Sequence, residues 1–260
     1  MAELGLSLYT QRTIHEITAI IEQRKIGHLM YTLYIANKNY SSWSLRPWLV
    51  LKQLEIPFEE MLVPFGSKDW TSANPSPTAQ VPCLIDIQSD GSAITVWDSL
   101  SITEYIADQH PLVWPQNIKA KAWARSATAE MHSGFNALRS VCTNNIGLRI
   151  DISHRMDSAL LKDLQRLEQI WNEGIELFGG PFLAGKDFTA VDAFFAPVAF
   201  RLQTYNIQLN EKAGKYAQHL RDLPAMQTWY QASLAETWRD EPHEADARSI
   251  GPWLHDLRAE

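Results

Sequence analysis

The sequence predicts two differently built halves, an α/β unit of order βαβαββα followed by an all-α domain. Three observations carry this. Runs rich in β-forming residues crowd the first half of the chain. A proline-bounded stretch, Pro111 to Pro115, follows, and beyond it the apolar spacing is helical throughout. At 260 residues the chain is long enough for two modest units sharing an interface.

Taken in order, Ile14, Ile17, Ile20 and Ile21 fall at helical spacing. They predict one short amphipathic helix in an N-terminal extension, residues 1–30. Tyr31-Thr32-Leu33-Tyr34-Ile35 then reads as a strand ending in the polar loop Ala36 to Tyr40. Ser44-Leu45-Arg46-Pro47 looks like a helix start, because proline is tolerated in a first turn. Trp48, Leu51 and Leu54 continue one apolar face of that helix to Glu55. Phe58 to Val63 is a second strand, and Asn74 to Pro77 is a proline-rich loop. Cys83 to Asp86 and Ala93 to Trp97 flank the turn Asp90-Gly91 as a hairpin. Asp98 or Ser99 caps a helix running to Gln109. Past a linker at 111–118, helical patterns cover Lys119–Val141, Met156–Leu177, Ala190–Tyr205, Glu211–Arg221 and Ala225–Ala235. Thr189 to Asp192 reads as a capping box with a purely structural role. The expected domains are therefore 31–110 and 119–260, the second ending in a tail.

Composition narrows the partners. A net charge of −7 and a pI near 5.6 argue against nucleic acid or an anionic membrane surface. The longest strongly apolar stretch, Ala193 to Phe200, is too short to span a bilayer. Two cysteines, Cys83 and Cys142, cannot build a disulfide framework, so a reducing, cytoplasmic location is expected. Three acidic residues balance three basic ones in the first thirty, unlike a transit peptide. Eight histidines show no zinc-ligand spacing, and no metal is expected. Gly180 to Asp187 nearly matches a phosphate-binding loop, but Asp187 replaces the hydroxyl residue that should reach magnesium. Cys83, inside a strand, reads as a small buried hydrophobe rather than a nucleophile.

Four local sequences, in this order, resemble the soluble glutathione transferases over roughly residues 31–235. Asn39-Tyr40-Ser41-Ser42-Trp43-Ser44-Leu45-Arg46-Pro47-Trp48 is similar to the serine-containing loop of zeta-type and bacterial members. Gln80-Val81-Pro82 stands before a strand, where the family has a cis proline whose preceding residue pairs with glutathione. Asp98-Ser99 resembles the pair that grips the γ-glutamyl end. Phe182-Leu183-Ala184-Gly185 and Thr189-Ala190-Val191-Asp192 resemble the family's capping segment. The resemblance implies a thioredoxin-like N-terminal domain, an all-helical C-terminal domain, glutathione as co-substrate and a homodimer. It also implies a role in detoxification.

The chemistry needs a thiolate. A free thiol of the cysteine type has a pKa of about 8.5, and conjugation requires its anion. A serine hydroxyl donating to sulfur contributes roughly 1.5–3 kcal/mol, and a helix N-terminus adds roughly 0.3–1 kcal/mol. At about 1.36 kcal/mol per pKa unit, the sum lowers the thiol pKa by about one to three units. The resemblance assigns this role to Ser41 first and Ser42 second, with Ser44 suited to the N-cap. The plain alternative is that all three are only loop and cap residues. Gln80, Val81, Pro82, Asp98 and Ser99 would hold the tripeptide. Asp98 would take its ammonium, and Ser99 with the helix amides its carboxylate. Trp43, Met131, His132 and Phe135 are the expected wall of the electrophile pocket. Met131 to Phe135 is read as mid-helix.

Three activities compete: transfer to a small electrophile; isomerisation of the maleylacetoacetate kind, dehalogenation or peroxide reduction; and non-catalytic binding. Trp43 stands where the isomerases carry cysteine, which counts against that activity.

Overall fold

The computed structural model describes residues 31–259. The helix expected within residues 1–30 lies outside them. Tyr31–Ile35 (β1) alternates buried and half-buried residues, the period-two pattern of a strand. It runs parallel to Phe58–Leu62 (β2), with Tyr31 opposite Phe58. It runs antiparallel to Cys83–Ile87 (β3), with Leu33 opposite Leu84. Ala93–Trp97 (β4) pairs antiparallel with β3, giving the sheet order β2-β1-β3-β4. A parallel pair needs a crossover, and Ser42–Gln53 (α1) supplies it between β1 and β2. Trp70–Ala73 (α2) is a single turn before β3, and Ser99–Gln109 (α3) completes the expected βαβαββα order.

The second half runs through Ile118–Ser133 (α4), Asn136–Val141 (α5), Leu148–Ile150 (β5), Ser158–Phe178 (α6) and Ala190–Thr204 (α7). Glu211–Asp222 (α8), Pro224–Ala235 (α9), Glu241–Ile250 (α10) and Trp253–Asp256 (β6) follow. Helix α7 is apolar all round, as a helix at the centre of a core must be, and all but one of its residues are buried. Helix α1 packs against it, and nine of the twelve α1 residues are buried. Trp48 of α1 meets Trp229 of α9 edge to face at 4.9 Å. The core of the first half thus continues into the second.

The capping box forms as expected. Asp192 accepts from Thr189 N–H at 3.0 Å and Leu183 N–H at 3.0 Å, and from the Tyr216 hydroxyl at 2.8 Å. Burial pushes its carboxyl up to about 6 against those donors. Cys83 and Cys142 are buried free thiols, pushed by burial up to about 11 and about 12. No helix among the described residues is long and apolar enough to cross a membrane.

Several expectations are corrected. The continuous helix expected over Lys119–Val141 breaks between α4 and α5. Phe135 adopts φ +59°, and a Cβ at Gly134 would lie 2.8 Å from the Glu130 carbonyl, so only glycine allows the tight turn there. Met131 to Phe135 therefore closes one helix rather than sitting mid-helix. The helix expected from Met156 starts at Ser158, with Asp157 accepting from Leu160 N–H at 2.9 Å. The second half also holds a short antiparallel pair, β5 with β6, and a further helix, α10, that the sequence pattern does not show.

Candidate active site

Where the β1–α1 loop, the approach to β3 and the start of α3 face the helices of the second half, a cleft of about 750 Å³ opens. Ser41, Ser42, Trp43, Gln80, Val81, Pro82, Asp98 and Ser99 all line it. Three residues expected in the electrophile wall behave differently. Met131 and Phe135 turn into the core, 1% and 6% exposed, because the chain break buries them rather than presenting them. His132 reaches the cleft only through neighbours: its ring meets Trp43 at 5.4 Å, and Nε2 stands 3.3 Å from Asp98 Oδ2.

The serine loop is built from local hydrogen bonds. Tyr40 N–H and Ser41 N–H both donate to Asn37 carbonyl, at 3.1 and 2.8 Å, which delivers the chain to the start of α1. Ser41, not Ser44, is the N-cap: its Oγ accepts from Ser44 N–H at 3.3 Å. The Ser41 hydroxyl donates to Ser44 Oγ at 2.7 Å, and Ser44 Oγ accepts from Ala36 N–H at 3.3 Å. Ser42 differs. Its Oγ accepts from Arg201 Nη2 at 3.3 Å, and its proton has no acceptor among the described residues.

The second half clamps this loop. Lys38 N–H and Asn39 N–H donate to the Glu236 carboxylate at 2.6 and 3.2 Å. Asn39 exchanges side-chain bonds with Asn145 and Gly147 N–H, each at 2.8 Å. Tyr40 hydroxyl donates to Glu244 Oε1 at 2.6 Å, and Arg258 pairs with that same carboxylate.

Across the cleft the Val81–Pro82 bond is cis. Asp98 sits at φ +71°, an uncommon conformation for a non-glycine residue and one often found at functional positions. Its Oδ1 caps α3 by accepting from Leu100 N–H at 2.8 Å and Ser101 N–H at 3.3 Å. Ser99, the first residue of α3, has a buried Oγ with no partner. A buried hydroxyl without a partner is uncommon. Together with the Ser99 N–H, the one first-turn amide that Asp98 does not take up, it suits a carboxylate at the start of the helix.

Comparisons with known proteins give the family. The glutathione S-transferase N-terminal domain matches residues 40–109, and the C-terminal domain of the same family matches residues 121–232. The chain belongs to the glutathione S-transferase family. Among curated proteins it is similar to glutathione S-transferase GstB of Escherichia coli K12. Identity is 26% over 218 residues, covering 78% of this chain and 92% of that one. Among solved structures it is similar to a Burkholderia glutathione transferase homologue with bound glutathione. There the TM-score is 0.56 and the identity 23%, covering 78% of this chain and 97% of the other. Glutathione transferase Omega 1C from Trametes versicolor aligns with a TM-score of 0.61 and 17% identity, over 89% of this chain and 99% of that one.

Against the glutathione S-transferase family pattern, the cleft holds groups that local sequence patterns do not single out. Arg139 of α5 and Arg201 of α7 line it, and Arg46 of α1 lies buried behind Trp43. Arg201 had a legible signal, being the only charged residue besides Asp192 on an otherwise apolar helix. Tyr40, Thr143 and Asn144 also line the cleft, and α10 adds His243 and Asp246. His243 stacks on Tyr40 at 5.0 Å and is held by Asp240 through Nδ1 at 2.5 Å. Helix α10 lies beyond residue 232, where the family match ends. His132, whose Nδ1 is buried without a partner, is held below the usual histidine range by burial, with Asp98 opposing.

Proposed function

We propose that the cleft binds glutathione and that the protein transfers its sulfur to a small electrophile, with Ser42 holding the thiolate. One observation carries the choice of serine: the Ser42 oxygen takes a bond from the Arg201 guanidinium while its own proton is uncommitted. A hydroxyl polarised in this way donates well to an anion. Ser41 is spent on the cap, since its proton goes to Ser44. Ser41 thus positions the helix start, and Ser42 touches the sulfur. The Ser99 hydroxyl and its own N–H suit the γ-glutamyl carboxylate, the free oxygen of Asp98 its ammonium, and the Gln80-Val81-Pro82 backbone the peptide bonds. The name of the GstB relative and the glutathione in the Burkholderia homologue support the reading. A detoxifying role, a cytoplasmic location and a homodimer complete the proposal.

The test is the pKa of glutathione bound to the protein, followed by thiolate absorbance. Ser42→Ala should raise it by about one to two units, the loss of a hydrogen bond to an anion worth roughly 1.5–3 kcal/mol. Ser41→Ala should mainly lower stability, by about 1 kcal/mol for a lost cap. The reverse pattern would move the role to Ser41. If neither substitution shifts the thiol pKa, the serine mechanism is wrong.

A further inference from the structure

Three arginines, two lining the cleft and Arg46 behind Trp43, are fixed in place without an ion-paired carboxylate among the described residues. Asp163 acts on Arg139 and Asp98 on Arg46 only from beyond ion-pair distance. Arg139 donates from Nε to Gly134 carbonyl at 2.9 Å, and from Nη2 to the carbonyls of Met131 and His132. Arg201 donates from Nε to Cys142 carbonyl at 2.7 Å and from Nη1 to Pro197 carbonyl at 3.4 Å. Arg46 is 1% exposed, and its Nε and Nη1 are buried without any partner. Backbone carbonyls hold a guanidinium in place but carry no net charge to cancel it. By contrast Arg258, the other buried arginine among the described residues, pairs with both Glu244 and Asp256. Among the described residues, none of Arg46, Arg139 and Arg201 has an ion-paired carboxylate.

The cluster surrounds one aromatic ring. The Arg46 guanidinium lies 4.2 Å and that of Arg139 4.7 Å from the Trp43 ring centre, and Trp43 is 36% exposed at the cleft. Arg46 also lies over Phe194 at 4.8 Å. Burial and the mutual repulsion of the group hold Arg46 well below the usual arginine range, and push Arg201 down to about 10. Concentrated positive charge in a protein of net charge −7 is costly unless an anion is to be bound there. The glutathione thiolate at Ser42 and its glycyl carboxylate bring at most two negative charges against three guanidiniums. The γ-glutamyl carboxylate is accounted for at Ser99, on the far wall.

We propose that the electrophile carries a carboxylate, seated beside Trp43 by Arg139 and Arg201, with Arg46 adding charge from behind the ring. The inference rests on the glutathione reading above for the identity of the attacking sulfur. The planar Trp43 ring suits a flat, unsaturated or aromatic body joined to that carboxylate. The acid group would anchor the substrate and orient its reacting carbon toward the sulfur. In the simplest such reaction the thiolate forms a carbon–sulfur bond as a halide leaves with the carbon–halogen electron pair. No proton, oxidant or reductant is then required.

The experiment uses the full chain with saturating glutathione and a matched pair, para-(bromomethyl)benzoate and its methyl ester. Each rate is taken relative to the uncatalysed reaction with glutathione. The acid should exceed the ester in relative kcat/KM by about tenfold or more, which corresponds to about 1.4 kcal/mol. Arg139→Gln should erase that preference, and Arg139→Lys should keep part of it. Equal treatment of the pair, or preference for the ester, overturns the proposal. Arg139 also holds the α4–α5 turn; should Arg139→Gln fail to fold, the wild-type acid–ester ratio still decides. Calorimetry separates the two readings. Absence of glutathione binding refutes the glutathione reading. In that event the unreactive pair para-methylbenzoate and its methyl ester decides this one: tighter acid binding by about tenfold supports it, and equal binding overturns it.

Discussion

Replacing Arg258 by methionine should unfasten the end of the chain from the serine loop. Arg258 and Glu244 are 2% and 6% exposed at the side chain, and Nη2 meets Oε2 at 3.0 Å while Nη1 holds Oε1. The same arginine reaches Tyr40 hydroxyl at 3.3 Å and pairs with Asp256 of β6 at 2.7 Å. Removing one partner of a buried pair costs about 3–5 kcal/mol, because the other charge is left without compensation. Here Tyr40 hydroxyl at 2.6 Å and Asn145 Nδ2 at 3.4 Å still donate to Glu244, and Asp256 is partly solvated. The low end, about 3 kcal/mol, is therefore expected. For a chain of this size that is a fall in thermal midpoint of about 6–12 °C. Adding Glu244→Gln to Arg258→Met removes the stranded charge and should return at least about 1 kcal/mol. Calorimetric or circular-dichroism melts of the three variants give the numbers. A fall under about 2 °C for the single variant, or no recovery in the double, would show that the buried pair does not hold the tail.

Acid should weaken the same contact. Burial alone would raise the Glu244 carboxyl, but the hydrogen bonds from Arg258 and Tyr40 outweigh it and hold it below its usual 4.5. A lowered carboxyl adds stability above its unfolded pKa and loses it as pH falls through the folded one. Urea midpoints of wild type should thus drop more steeply below about pH 4.5 than those of Glu244→Gln; parallel curves would remove Glu244 from the account. The thiols give a simpler check. With burial pushing Cys83 and Cys142 up to about 11 and about 12, neither should react with an aromatic disulfide reagent in the native protein. Both should react in urea, and native labelling of either would mean that the packing around it opens.

Much of the fold is legible in the sequence because its strongest elements are periodic over their whole length. β1 shows its alternation in five residues, and the capping box of α7 announces itself in four. The hairpin of β3 and β4 is marked by the Asp90-Gly91 turn between β-formers. The illegible parts lack a local period. β5 has three residues and β6 four, and Leu148 finds its partner Asp256 only after more than a hundred intervening positions. Strands that short are specified by the surface they land on. The break after α4 hinges on Gly134 and the left-handed Phe135, in a stretch whose apolar spacing continues as though the helix did. A lone glycine within a helical pattern is ambiguous, since it is also tolerated there.

The site divides along the same line. Residues suited to bind through backbone or through their own helix start sit together in sequence, so Gln80 to Pro82 and Asp98-Ser99 stand out as short local patterns. Arg46, Arg139 and Arg201 stand on α1, α5 and α7, and on each helix taken alone an arginine reads as a solvated or capping charge. The packing of α1 on α7, which also directs Arg201 at Ser42, brings Arg46 and Arg201 together, and the α4–α5 turn sets Arg139 over Trp43. The choice of Ser42 as the working serine follows from that packing as well. Ser41 and Ser42 are equivalent in sequence, both hydroxyls at the start of one helix. They become inequivalent when the neighbouring Ser44 absorbs one proton and a guanidinium from the other half of the chain polarises the other oxygen. The proposed thiolate site is therefore a property of the α1–α7 contact. A substitution that shifts α7 against α1, without touching either serine, should raise the pKa of bound glutathione.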